Sequence, residues 1–194
     1  GETLIGETRV GHSSDRLRSL TLIPANPTAH PEAVRAIEDA DLIVIGPGSL
    51  FTSIVPNLLI SGISAALVNS PALKVYVCNV AEEPAQTEGY SVLDHLRVVQ
   101  HYGSVEIVDA LVANNMVPDG PTPAGLEFIR VNKPWNDDVL LVEADVIDDT
   151  DETSSARHDP AKLSYAIAEA YRKYRGRRRR LPADHFAAGI VRCG

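Results

Sequence analysis

The sequence predicts an α/β domain: a doubly wound, mostly parallel sheet with helices on both faces. Two observations carry that expectation. The short apolar run at residues 42–45 is unbroken rather than alternating, and residues 74–80 read as the next strand, as expected of strands covered by helices on each side. Between and after them lie stretches with apolar residues at helical spacing, and successive strand–helix–strand units close by right-handed crossovers into such a sheet.

Taken in order, residues 17–23 read as a first strand, ended by Pro24, and residues 24–31 as a proline-rich connector. Pro31 suits the first turn of a helix with Val34, Ile37 and Ala40 on one side. After the strand at 42–45, Pro56 and Gly62 punctuate a helical region that ends near Asn69. Residues 74–80 form the next strand, and residues 82–90 a polar loop at its carboxyl end, where doubly wound sheets bind ligands. Ser91 caps a helix that turns Val92, Leu96 and Val99 to one face, and Asp94 stands at capping-box spacing. His95 on that helix reads as a surface or satisfied histidine. Residues 105–112 form a further strand, residues 114–125 a long loop rich in proline and glycine, residues 127–131 a short strand, and residues 139–146 the last strand. Asp159 and Pro160 supply the N-cap and first residue of a helix with Leu163, Ala166, Ile167 and Ala170 on its apolar face.

The chemistry concentrates at Gly46-Pro47-Gly48, which ends the strand at 42–45. Glycines permit positive φ and close approach to the main chain. With Ser49 as an N-cap and residues 50–54 as a first turn, the helix N-terminus directs N–H groups and positive dipole at an anion. A tight turn that only packs a helix on a sheet has the same local pattern. Neither GxGxxG nor GxxxxGK[ST] is present, since position 51 is Phe and no lysine follows the turn. Arg157 and His158 precede the second predicted helix start, so two potential cations flank another set of free N–H groups. An Arg fork fits phosphate bidentately; the alternative is an ion pair with Asp151 or Glu152.

Composition narrows the function classes. The 194 residues fit one domain, and 44% of them are hydrophobic. Residues 1–171 hold 10 Lys/Arg against 25 Asp/Glu, and residues 172–194 hold eight against one. The acidic body is a poor nucleic-acid binder. The run from Arg172 to Arg180 reads as a solvated helix end and loose tail, with the domain boundary at 175/176. Six carboxylates within residues 143–152 offer oxygen ligands to Mg2+ or form an ordinary acidic loop. Cys78 and Cys193 make neither a disulfide framework nor a metal set. Cys78 lies in an apolar run and reads as an inert buried thiol. No apolar window is long enough to cross a membrane, no secretory signal is visible, and the cysteine usage favours a cytoplasmic protein.

Three stretches in order, GPGSLFTSIVPNLL, KVYVCNVAEEPAQTEGYSVLDH and RHDPAKL, resemble the bacterial gluconeogenesis factor family, a branch of the CofD-like (2-phospho-L-lactate transferase-like) proteins. The resemblance covers about residues 1–175. It implies a Rossmann-like fold that binds a nucleotide diphosphate: a UDP-sugar, a dinucleotide or a GDP-type compound. Mg2+ is a possible companion. It also implies a glycine-rich N-terminal unit that supplies half of the ligand site. GETLIGET does not match it, so the chain is expected to be a piece of something longer. Phe51 stands where such proteins often carry Tyr, so a hydroxyl is lost there.

The residues expected at the ligand are Gly46, Pro47, Gly48, Ser49, Thr52, Asn79, Thr87, Gly89, Arg157 and His158. The expected partner is a small-molecule nucleotide, with no specific nucleic acid, no membrane and a homo-oligomeric state. The expected role is regulatory binding linked to carbon metabolism, cell-wall precursor supply and cell shape. The alternatives are a transferase moving phospholactate from a guanosine diphosphate donor to a deazaflavin alcohol, and a structural scaffold. GPGSLFTS favours the binder, because the transferases commonly carry Asn-Pro after the glycine turn. No residue arrangement in the chain fixes a reaction.

Overall fold

The computed structural model describes residues 3, 5, 6, 9, 17, 19–117, 126–135, 138–148 and 156–180, with side chains through Arg177. Four parallel strands form one sheet in the order β1 (Leu42–Ile45), β2 (Leu73–Val77), β3 (Ala110–Asn114) and β4 (Leu140–Ala144). Leu42 pairs with Leu73, Val75 with Ala110, and Ala110 with Leu140. Helices cover both faces, as the apolar runs require. The order advances in one direction, so the described strands contain no reversal of winding.

Side-chain alternation along the strands divides the core in two. Leu73, Val75 and Val77 of β2 and Ala110 and Val112 of β3 face α5 (Pro160–Arg180). Tyr76, Cys78, Leu111 and Ala113 face the opposite layer. That layer holds α2 (Val55–Leu58), α3 (Ser61–Asn69) and α4 (Val92–Tyr102), with α1 (Pro31–Glu38) packed outside α3. All five β2 residues are buried, Lys74 included, whose ammonium is held by the Ser70 carbonyl and Asp109. On the edge strand β1, Val44 is 41% exposed, because α5 packs chiefly on β2, β3 and β4.

The predicted caps are present. Ser91 and Asp94 exchange both bonds of a capping box at the start of α4. Asp159 Oδ1 accepts the Lys162 N–H at 2.7 Å, and Pro160 is the first residue of α5. His30 caps α1 through its ring, which accepts from the Glu32 N–H, with Pro31 next.

Several expected boundaries move. The described residues of 17–23 join no strand: the Leu20 N–H goes to the Tyr102 hydroxyl at 3.1 Å, and Leu17 and Leu20 pack against the core from outside. The strand expected at 74–80 spans Leu73–Val77. Residues 105–107 make a 3-10 turn, initiated by the Ser104 side chain accepting from Glu106, and β3 starts only at Ala110. Apolar character misled here because Ile107 is buried while capping the end of the sheet layer. Residues 127–131 are extended but make one antiparallel bridge, Ala81 to Phe128, because they lie against the loop after β2 rather than in the sheet. The last strand spans Leu140–Ala144, inside the expected 139–146. Helix α5 runs past residue 175 to Arg180, with Arg175 over the Tyr171 ring at 5.6 Å; residues 181–194 lie outside the described residues.

Candidate functional site

The carboxyl ends of β1 and β2 open onto a cleft of about 750 Å³, within the size range of small-molecule sites. Pro47, Gly48, Ser49, the segment from Asn79 to Pro84, Leu126, Ala156, Arg157 and His158 line it.

Gly46 lies directly behind this surface. Its φ is +87°, and a Cβ there would meet the Val77 carbonyl oxygen at 2.9 Å. The position therefore needs glycine for both conformation and space. At Gly48 a Cβ would make only ordinary contacts, 3.5 Å to Ser53 Cβ and 3.7 Å to Ile54 Cδ1. After Ser49 the chain winds as a π turn, Leu50–Ile54. The Ser53 and Ile54 N–H groups both donate to the Ser49 carbonyl at 3.0 Å.

Ser49 does not cap this turn with its side chain. Its hydroxyl donates to Glu83 Oε2 at 2.8 Å instead, and a bond to a charged acceptor is about twice as strong as a neutral one. Asn79 completes the arrangement. Its Oδ1 accepts the Gly48 N–H at 3.2 Å, and its Nδ2 donates to Glu83 Oε1 at 3.2 Å. A carboxylate thus occupies the corner where sequence alone anticipates free donors for an anion.

His158 is held by the sheet. Its Nε2 lies 3.2 Å from the Cys78 carbonyl oxygen. A carbonyl only accepts, so Nε2 carries the proton and Nδ1 is left as an acceptor. Partial burial lowers the His158 pKa despite that bond, so the ring is neutral near pH 7 rather than the expected cation. Arg157 keeps an exposed side chain on the cleft wall while its carbonyl accepts from the Asp148 N–H at 2.9 Å. The anticipated pairing with Asp151 or Glu152 lies outside the described residues.

The cleft brings together Pro47, Gly48, Ser49, Asn79, Arg157 and His158. Thr52, Thr87 and Gly89 do not line it. Thr52 is half-buried on the π turn. Thr87 is buried, and its hydroxyl accepts the Glu83 N–H at 2.8 Å. Gly89 has φ +74°, and its N–H donates to Glu82 at 2.8 Å. These two residues shape the loop that presents Glu83. Sequence reasoning picked out this loop but not Glu83 itself; its position just past a strand end, four residues after Asn79, was the available signal. Phe51 is buried, and its ring meets Tyr90 edge-on at 6.4 Å. Its place is in the core, with no polar role.

His95 departs from expectation: it is fully buried, and while Nδ1 donates to the Ser91 carbonyl at 2.9 Å, Nε2 has no partner among the described residues. In the acidic stretch, Glu143 pairs with Lys133 and Asp145 with Lys162, each at 2.9 Å. Among the described residues no three His, Cys, Asp or Glu side chains come together to hold a metal. No single described helix is long and apolar enough to cross a membrane; the segments Leu50–Leu58 and Ser61–Asn69 suffice only as a pair, and they meet at 76°.

Residues 1–147 match the family described as 2-phospho-L-lactate transferase CofD. The chain belongs to the CofD family. Within reach of this CofD-family chain are proteins called gluconeogenesis factors, as its three motifs implied. A putative gluconeogenesis factor of Nostoc sp. is 35% identical over 88% of this chain and 39% of its own length. One from Thermotoga maritima is 34% identical over 86% and 55%. The gluconeogenesis factor of Bacillus subtilis is 40% identical over 61% and 38%. A crystal structure of a UPF0052-family protein from Bacillus halodurans superposes with a TM-score of 0.74 at 32% identity, covering 84% of this chain and 54% of that one. The chain therefore spans between about two fifths and just over half the length of these relatives, and its Rossmann-like α/β fold is theirs.

Proposed function

We propose that this chain is the ligand-binding part of a regulatory protein like the gluconeogenesis factors, taking a nucleotide diphosphate ligand such as a UDP-sugar or dinucleotide. One observation carries the reading. A single cleft over the carboxyl ends of β1 and β2 gathers the glycine turn, Asn79 and Arg157, where open α/β sheets bind nucleotides. The Arg157 guanidinium suits a phosphate, and the apolar lining residues Val80, Leu126 and Ala156 suit a ring. The match to gluconeogenesis factors supports binding over turnover.

The test has two arms on the full-length protein that contains this chain. Calorimetric titration of a UDP-sugar into the parent and Gly48→Val should show binding that the variant loses. Incubation with Mg2+, a guanosine diphospholactate donor and a deazaflavin acceptor should give no product by mass spectrometry. Multiple turnovers, lost in Gly48→Val, would replace this reading with the transferase.

A further inference from the structure

We infer that Glu83 sets specificity in this cleft by accepting hydrogen bonds from a vicinal diol of the ligand, which puts the ligand's phosphates on the Arg157 side. The inference deepens the nucleotide-diphosphate reading and rests on it.

The geometry is that of a positioned acceptor. Each Glu83 oxygen already takes one donor, Ser49 Oγ at 2.8 Å and Asn79 Nδ2 at 3.2 Å. The Thr87 hydroxyl holds the Glu83 backbone N–H at 2.8 Å. An ionised carboxylate has about four acceptor sites, so two remain for a ligand while the side chain stays braced. The residue is half-buried and lines the cleft, where a like charge is poorly screened. A phosphate placed there would meet the carboxylate at close range, whereas two adjacent hydroxyls would donate to it. Arg157, which lines the same cleft, is the complementary group for phosphate. The cleft thus carries both signs of charge: an acceptor beside Ser49 and Asn79, and a cation at Arg157. A ligand with a diphosphate at one end and a diol nearby satisfies both, and the diol comes from either a ribose or a hexose.

The experiment titrates four probes into the full chain and into Glu83→Gln: UDP, 2′,3′-dideoxy-UDP, UDP-glucose and inorganic pyrophosphate. Circular dichroism first checks that the variant is folded. A ribose diol predicts that the parent binds UDP about tenfold or more tightly than dideoxy-UDP. A hexose diol predicts the same gap between UDP-glucose and UDP, each reflecting a hydrogen bond to a charged group. In either case Glu83→Gln should close the gap and leave pyrophosphate bound as tightly as before or more so. The probe comparison on the parent needs no variant, so a misfolded Glu83→Gln does not rescue the inference. Absence of both gaps in the parent overturns it. So does a gap that persists in the folded variant, or a variant that binds UDP-glucose more tightly, which would make Glu83 merely repulsive. Those outcomes leave nucleotide binding standing. A folded parent that binds no nucleotide probe overturns the nucleotide reading as well.

Discussion

Replacing Gly46 by alanine should destabilise the fold by about 2–4 kcal/mol, whereas the same replacement at Gly48 should change it by under about 0.5 kcal/mol or stabilise it slightly. The two glycines look equivalent in GPG, but their surroundings differ. At Gly46, φ is +87°, and an L side chain in left-handed backbone costs about 1–2 kcal/mol. Its Cβ would also come within 2.9 Å of the Val77 carbonyl oxygen. Val77 ends the buried strand β2 and pairs with Val112, so the oxygen cannot retreat without disturbing the sheet. That overlap adds a cost of the size seen for overpacked cores, about 1–3 kcal/mol. Reduced freedom of the unfolded chain offsets about 0.4–1 kcal/mol. At Gly48 there is neither the φ nor the clash: the nearest atom to its Cβ is Ser53 Cβ at 3.5 Å. Urea unfolding of the two variants against the parent measures the difference, and melting should show Gly46→Ala roughly 5–12 °C lower for a domain of this size. Equal stability of the two variants, or a lower midpoint for Gly48→Ala, would refute the assignment of Gly46 as the strained contact.

Three other outcomes are expected. Arg157→Ala should weaken nucleotide diphosphate binding by about 1.5–3 kcal/mol with little effect on melting, while Asp159→Ala should cost about 1 kcal/mol of stability through the lost bond to the Lys162 N–H; calorimetry and melting of both variants separate the roles, and unchanged affinity in Arg157→Ala would remove it from the site. Burial lowers the pKa of both His95 and His158, so below the ordinary imidazole value of about 6.5 the unfolded chain binds protons that the folded chain refuses. Stability should be full above that pH and fall as the pH drops towards the depressed folded values. The midpoint denaturant concentration at pH 7.5 and 5.5 checks this, and His95→Leu should flatten the acid slope. Finally, burial pushes the Cys78 thiol far above its usual range, so in a Cys193→Ser background a thiol reagent should label it only on unfolding; rapid labelling of the native protein would contradict its place under the sheet.

Much of this protein was legible locally. The unbroken run in β1, the Ser91–Asp94 capping box and the Asp159–Pro160 start of α5 depend on neighbours within a few residues, and such signals survive in sequence. The glycine turn was likewise visible as a turn. Where burial and pairing come from distant segments, local pattern misassigned the state: the described residues of 17–23 look like a strand but find no partner in the sheet, and Ile107 is apolar because it closes the core from a turn whose Val105 is exposed. The site shows the same division. Sequence placed Gly46, Gly48, Asn79 and Arg157 at strand and helix ends, and so at one end of a parallel sheet. Only the tertiary structure distinguished Gly46 from Gly48, because the Val77 carbonyl that crowds Gly46 is 31 residues away in the chain. It alone made His158 a neutral donor, through burial and the Cys78 carbonyl. And it alone seated the Glu83 carboxylate beside Ser49, because which charge occupies a helix N-terminus depends on what another loop brings there.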